Sequence, residues 1–289
     1  MPQRDQLSTI ILDWAVRSAA IRAIRLFTVS LPRRSNAQGP GLPQRGTPLK
    51  TRALAILTAA VSAGVITAVA PWASAGTSAH RGYEPVLNPK DFVRVINNPY
   101  FPLPVGRTLI YRGVRDGQTQ TDRVHVTSRT RVLEGITATA VSDVARHHGK
   151  LLEKTTDWYA QDKQGNVWYL GENTAAFLPN GQIDRSGSWQ ANVHDGEPGI
   201  IMLAHPQIPD AYRQEFLRGQ AEDTAWIINR GGSVKLPFGV QHHILTSLEF
   251  ARIEPGVVDQ KIYAPGLGIV SETAIKGPME TARLVSVRG

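Results

Sequence analysis

The sequence predicts an all-β fold: one body of roughly ten antiparallel strands, forming a curled sheet, sandwich or open barrel, with little helix outside the N-terminal region. Three observations carry this. From Gly82 onward, β-branched and aromatic residues alternate with polar ones in segments that recur roughly every 10–14 residues. The breaks between them are D-G, E-G, H-G, Q-G and P-G turns, and such short connections imply hairpins. No long segment of 3.6-residue period occurs in this part of the chain.

The N-terminal quarter reads differently. Residues 1–48 form a basic extension in which "LSTIILDWAVRSAAIRAIRLF" suits an amphipathic helix and "PRRSNAQGPGLPQRGTP" suits a linker. A start codon assigned too far upstream would explain it. Residues 49–75 then carry a secretory signal. Lys50 and Arg52 precede the uncharged run Ala53 to Ala70, and Ala73-Ser74-Ala75 offers a small-residue cleavage site after Pro71. The alternative is a membrane anchor through residues 53–70, but seven of those 18 residues are Ala, which makes the run weakly apolar. Residues 76–289 are then a single secreted β domain.

Charge excludes one class of partner. Residues 1–75 hold nine Lys/Arg and two Asp, leaving 23 basic and 22 acidic groups for the remainder. A nearly neutral body lacks the basic patch with which nucleic-acid binding begins. Cysteine is absent, so disulfides, thiolate nucleophiles and Cys-bound metals are excluded. No cofactor motif is present, and contact with a membrane is expected only through an uncleaved signal. The remaining partner class is a small-molecule or envelope ligand.

The body opens with "EPVLNPKDFVRVINNPYFPLPVG", in which Asp91 to Ile96 suggests a short helix capped by Asn88 or Asp91, with Pro89 in its first turn. The most informative hairpin is "DWYAQDKQGNVWYLGE", Asp157 to Glu172. "DKQG" suits a tight turn with Gly165 in the left-handed position. The resulting register sets Gln161 opposite Val167, Ala160 opposite Trp168, Tyr159 opposite Tyr169 and Trp158 opposite Leu170. Side chains alternate between faces. Trp158, Ala160, Trp168, Leu170 and Glu172 therefore share one face, expected to pack the core. Asp157, Tyr159, Gln161, Val167 and Tyr169 share the other. Tyr159, Tyr169 and Gln161 are the expected ligand-binding residues, since a Tyr ring can stack while its hydroxyl finds a partner. The plain alternative is cross-strand aromatic pairing. In this register Asp157 and Glu172 lie on opposite faces and build no paired-carboxylate site.

Further candidates are weaker. His194, Asp195 and Glu197 form a metal-like cluster in "NVHDGEPG", though Asp195-Gly196 reads more simply as a turn. Glu215, Glu222 and Asp223 bracket "FLRGQA", where Gly219 argues for strand-turn-strand. They are the candidate acid/base groups of a secreted hydrolase or lyase, or else a salt-bridged hairpin. No serine-nucleophile elbow or phosphate-cradling loop is present, so no catalytic residue is assigned.

The phrases "NPYFPLPVGRTLIYRG", "DWYAQDKQGNVWYLGE", "GSWQANVHDGEPGIIMLAHP", "YRQEFLRGQAED" and "EPGVVDQKIYAPGLGIVSE" together resemble an uncharacterised family of exported bacterial β-proteins, over roughly residues 92–273. The "YAPGLG" turn is similar to one that recurs in cell-envelope proteins with curled antiparallel sheets. The resemblance implies export and such a sheet, and brings no catalytic residues with it. The expected function is a non-catalytic extracytoplasmic binding protein for an apolar or carbohydrate envelope ligand. The alternatives are the carboxylate hydrolase or lyase and a structural envelope module.

Overall fold

The computed structural model describes residues 82–289 apart from Asp116. The extension, the signal and the run 53–70 lie outside the described residues. The regular secondary structure of the described residues is all strand apart from one short 3-10 turn at Pro89–Asp91. Asn88 caps that turn by accepting from the Lys90 N–H at 3.1 Å. The expected helix does not follow it, because the chain goes straight into strand β1 (Phe92–Val93). Among the described residues no helix is long and apolar enough to cross a membrane.

Long hairpins build the sheet. Strands β2 (Thr108–Arg115), β3 (Gln118–Leu133), β4 (Ile136–His147), β5 (Lys150–Asp162) and β6 (Val167–Phe177) form a meander. The short strands β7 (Ile183–Asp184) and β8 (Trp189–Gln190) pair with β6, as does β9 (Glu197–Met202). Next come β10 (Ala211–Arg213), β11 (Glu215–Phe216) and β12 (Asp223–Arg230), then a separate hairpin of β13 (Ser233–Leu236) and β14 (Gly239–His242). A second meander of β15 (Leu245–Ala251), β16 (Val258–Ala264), β17 (Gly268–Lys276) and β18 (Glu280–Arg288) returns to pair with β2. The main sheet has sixteen strands rather than the expected ten. The surplus consists of segments of two or three residues, too short to show an alternation.

The sheet curls until its edges meet. The segment Ala211–Phe216 is shared between them: Tyr212 pairs with Ala225 of β12, and three residues later Glu215 pairs with Pro198 of β9. The crossing is close, since a Cβ on Gly199 would lie 2.1 Å from the Gln214 carbonyl carbon. The product is a nearly closed antiparallel barrel, which leaves little free edge.

One end of the barrel is apolar and filled. Leu109, Val126, Val141, Tyr159, Tyr169, Leu245, Tyr263, Ile269 and Leu284 all point inward there and are buried. The strap Phe92–Leu103 closes this end with Ile96 and Phe101, and Phe101 meets the Tyr159 ring edge-on at 5.3 Å. Gln161 fastens the strap. Its Oε1 accepts from the N–H groups of Asn97 and Asn98 at 2.8 and 2.9 Å, and its Nε2 donates to Asn97 Oδ1 at 2.8 Å. Asn98 in turn donates to the carbonyls of Gly165 and Leu203, each at 2.9 Å.

A smaller core lies outside the barrel wall. Leu133, Ile136, Ala138, Ala140, Trp158, Ala160 and Leu170 form it, covered by Leu87, Phe92 and Trp168. The hairpin therefore buries both faces, and the expected assignment is inverted: the tyrosines fill the larger interior core, and the tryptophans pack the outer one.

Candidate functional site: the carboxyl-lined end of the barrel

The hairpin pairs as its turn predicts from Gln161–Val167 to Tyr159–Tyr169. Asp162 organises the turn, with Oδ1 accepting from the Asn166 N–H at 2.8 Å and Oδ2 from Trp168 Nε1 at 2.9 Å. Beyond Tyr169 the register shifts. Asp157 stands opposite Glu172, so that Leu170 and Gly171 together face Trp158. This bulge turns Glu172 to the inner face beside Asp157, with 3% and 1% exposure respectively. Gly171 makes it possible. Its φ of +136° is hard for a side-chain-bearing residue, and a Cβ there would sit 2.6 Å from the Trp189 carbonyl oxygen. The expectation that Asp157 and Glu172 occupy opposite faces is thereby corrected.

The two acids belong to a larger set. Along β5 the inward positions read Glu153, Thr155, Asp157, Tyr159 and Gln161. Neighbouring strands add Asp122, Asp143, Glu172, Glu249 and Glu272, and the closing segment adds the buried Glu215. The buried cations among them are Arg115 and Lys261. These groups occupy the end of the barrel opposite the strap, where the turns β2–β3, β4–β5, β15–β16 and β17–β18 lie.

Removing so many acids from water raises their proton affinity. Burial pushes Asp122 up to about 7, with contact to Asp143 partly opposing and the charge of Glu153 adding to the rise. Burial, then repulsion from Asp143, lifts Glu153 to about 8. Asp143, Asp157, Glu215 and Glu272 are all raised well above the carboxylate range, burial being the main cause in each. Burial alone would lower the Lys261 ammonium, but Glu249 and Glu272 more than reverse this.

Hydrogen bonding is incomplete. The Tyr169 hydroxyl donates to Asp157 Oδ1 at 2.7 Å, and Tyr263 donates to Glu249 Oε1 at 2.8 Å. Thr155 and Thr174 bond to each other between Glu153 and Glu172. Among the described residues, Asp157 Oδ2, Glu272 Oε2 and the Tyr159 hydroxyl have no hydrogen-bond partner. Such buried oxygens are costly, and groups of raised pKa gathered in one place mark functional sites more often than chance.

The expected ligand residues have other surroundings. Tyr159 and Tyr169 are fully buried and stack on each other at 4.8 Å, so their rings offer no open surface. Gln161 spends its amide on the strap. Of the acid/base candidates, Glu215 faces the barrel interior and Asp223 lies at its rim. Glu222 is engaged elsewhere: Arg252 bonds it through Nε at 2.9 Å and Nη2 at 3.0 Å, and the Gly219 N–H donates at 2.8 Å. Burial would raise Glu222, but these bonds bring it below the usual range. Asp223 lies close enough for its charge to help raise Glu215, while Glu222 stands apart, and the segment is the strand-turn-strand that Gly219 suggests, with Leu217 bridging to Ala221. Arg213 lies instead over the rings of Phe216 and Tyr83, at 4.6 and 5.4 Å. His194 and Asp195 are exposed turn residues with positive φ, and Glu197 begins β9. No three His or acidic groups among the described residues are arranged to hold a metal.

No family model matches the chain, and neither does any curated relative. Two solved structures bear a loose likeness. One, from Bacteroides fragilis, is described as an inferred exported protein with a YmcC-like fold; it is 14% identical, with a TM-score of 0.39, over 66% of this chain and 99% of its own. The other, described as an inferred lipoprotein from Parabacteroides distasonis, is 12% identical, with a TM-score of 0.36, over the same 66% and 99%. Likenesses this distant bear on neither the site nor its chemistry.

Proposed function

We propose that the protein is a non-catalytic binding module working outside the cytoplasmic membrane, and that its ligand engages the carboxyl-lined end of the barrel. The observation that carries this reading is the excess of buried, incompletely bonded carboxyls over Arg115 and Lys261 on the inner face. Buried acceptor atoms without a partner suit a polar ligand, whose hydroxyl or ammonium groups would supply the missing bonds. Of the ligand classes expected from the sequence, this favours the polar over the apolar, since the apolar end is filled by its own side chains and the strap. The export-type segment at residues 49–75 supports an extracytoplasmic site of action. Against hydrolysis, the Glu222 carboxylate is already engaged by Arg252 and the Gly219 N–H.

Native mass spectrometry of the protein recovered from its natural producer tests the reading. The expected result is a stoichiometric small-molecule adduct, weakened by the paired change Asp157→Asn and Glu172→Gln. Recovery of bare protein, together with no thermal stabilisation by any of a panel of polyols, sugars and amines, would overturn it.

A further inference from the structure

Around the carboxyl-lined end, the outer wall of the barrel carries the opposite charge. Glu272, Glu280, Asp122 and Asp143, the acids of β17, β18, β3 and β4, all take inward positions, and alternation turns their neighbours outward. Outward Arg283 of β18 lies directly opposite outward Arg112 of β2, which sets their Cα atoms about 5 Å apart. Arg112 faces Thr121 of β3, and Thr121 faces Arg146 of β4. Two residues along the strands, a second row runs from Arg123 through Val144 to Lys154 of β5. All five cations are exposed. The first row crosses three strand spacings, about 15 Å, and the second lies about 7 Å from it.

Nothing on this wall offsets the band. None of the five takes part in an ion pair among the described residues. Arg283 and Arg146 each donate to a backbone carbonyl, of Lys235 and Gly149 respectively, and the first contact brings a sixth cation alongside. Like charges placed directly opposite each other cost stability, so an unbalanced band points to an anionic partner. The near balance of 23 basic and 22 acidic groups after residue 75 conceals it, because the acids of the same strands face the interior.

The same outward face ends in apolar side chains. Thr273 of β17 pairs with Thr281 of β18. One alternation further out come Ile275 and Met279, 53% and 65% exposed, on either side of Lys276. Cations beside exposed apolar residues on a convex wall suit a lipid headgroup surface, with the apolar tip reaching the acyl boundary. A single-stranded nucleic acid is held by a groove and stacking aromatics, and neither row contains an aromatic residue. The export-type segment at residues 49–75 would bring the body beside a membrane.

We propose that this outer wall docks on a membrane of anionic phospholipid, with the band of Arg112, Arg123, Arg146, Lys154 and Arg283 on the phosphates and the Ile275–Met279 tip inserted beside them. The contact is separate from an uncleaved signal and leaves the barrel interior free.

Sedimentation of the full-length chain with vesicles of equal parts phosphatidylglycerol and phosphatidylcholine tests the proposal. The double change Arg112→Glu and Arg123→Glu should lower the partition coefficient about tenfold or more, the scale of withdrawing two cations from an anionic membrane. Arg94→Glu with Arg185→Glu makes the same change in net charge at exposed positions off the band and should lower it far less. Residues 1–81 are identical in both variants, so whatever they add to partition is common to both. Circular dichroism checks folding; should the charge reversals unfold the protein, Arg112→Gln with Arg123→Gln takes their place, with a smaller loss expected. No partition of the unmodified chain overturns the proposal, as does unchanged partition in the folded band variant, or an equal loss in the two pairs. A thymidine oligonucleotide is the polyanion arm: if the band variant loses oligonucleotide binding while its vesicle partition stays unchanged, the partner is a nucleic acid and the membrane proposal falls.

Discussion

The two ends of this barrel are made from the same strands and differ in what those strands point inward. At the strap end β5 and β6 contribute Tyr159, Tyr169 and Val167, which stack and fill the space. A few residues along, the same strands contribute Glu153, Asp157 and Glu172, which fill it with buried carboxyls, and Asp157 Oδ2 has no hydrogen-bond partner among the described residues. The first end is built as a hydrophobic core, where burial itself stabilises. The second is held together by backbone pairing and costs free energy to keep dry. The difference teaches that stability is concentrated at one end, and that the other accepts a penalty consistent with binding.

The largest expected effect sharpens the comparison at the apolar end. Tyr159→Ala empties a fully buried, stacked position and should cost about 3–5 kcal/mol. Trp168→Ala, on the half-buried outer core, should cost about 1–2 kcal/mol, mostly the Phe92 contact and the bond to Asp162. Denaturant unfolding of the two variants reads the difference. A larger loss for Trp168→Ala would reverse the assignment of the two cores.

The carboxyl end should reveal itself through pH. Asp122 is raised from 3.8 to about 7 and Glu153 from 4.5 to about 8, so between those limits the folded state holds more protons than the unfolded chain. Stability then falls as pH rises through this window, by up to roughly 4 kcal/mol for each group acting alone. Asp143 on β4, Asp157 on β5 and Glu272 on β17 are raised as well and reinforce the direction. Thermal unfolding should show a higher midpoint at pH 5.5 than at pH 8.5. A midpoint that is flat or rises with pH would mean the carboxyls are solvated or already paired.

A smaller effect is expected at the bulge joining the two ends. Gly171→Ala combines an unfavourable φ with a Cβ directed at the Trp189 carbonyl. It should cost about 2 kcal/mol or more, while the apolar end keeps its packing. Amide exchange should speed up around Trp189 and Glu172 and stay slow at Tyr159. Uniform loss of protection along the whole hairpin would show that the ends are not energetically distinct.

Much of the apolar end was legible in the sequence. "DKQG" fixes the pairing from Gln161 to Tyr159 because a tight turn leaves no freedom of register. Alternating segments locate most long strands. The closing segment Ala211–Phe216 is not legible, because it pairs for two or three residues with each of two partners. The carboxyl end was hidden for a different reason. Alternation shows that Glu153, Thr155 and Asp157 share a face, and the ordinary rule sends such a face to solvent. In β5 it points into the barrel, while Trp158 and Ala160 on the outer face find cover under Phe92 and Leu87. The signal that was available is that both faces of this hairpin carry large apolar residues, so both must be buried. The Leu170–Gly171 bulge has a weak signature, a glycine interrupting a strand, which marks a register shift without giving its direction.

The central claim is that one end of the barrel holds its carboxyls out of water. It is tested most directly by carbon-detected NMR titration of the Asp and Glu side-chain carboxyls in the full-length protein. The account predicts midpoints near 7 for Asp122 and near 8 for Glu153, with Glu222, held by Arg252, titrating below the usual glutamate range. Midpoints for Asp122 and Glu153 between about 3 and 5, alongside the surface acids, would contradict it.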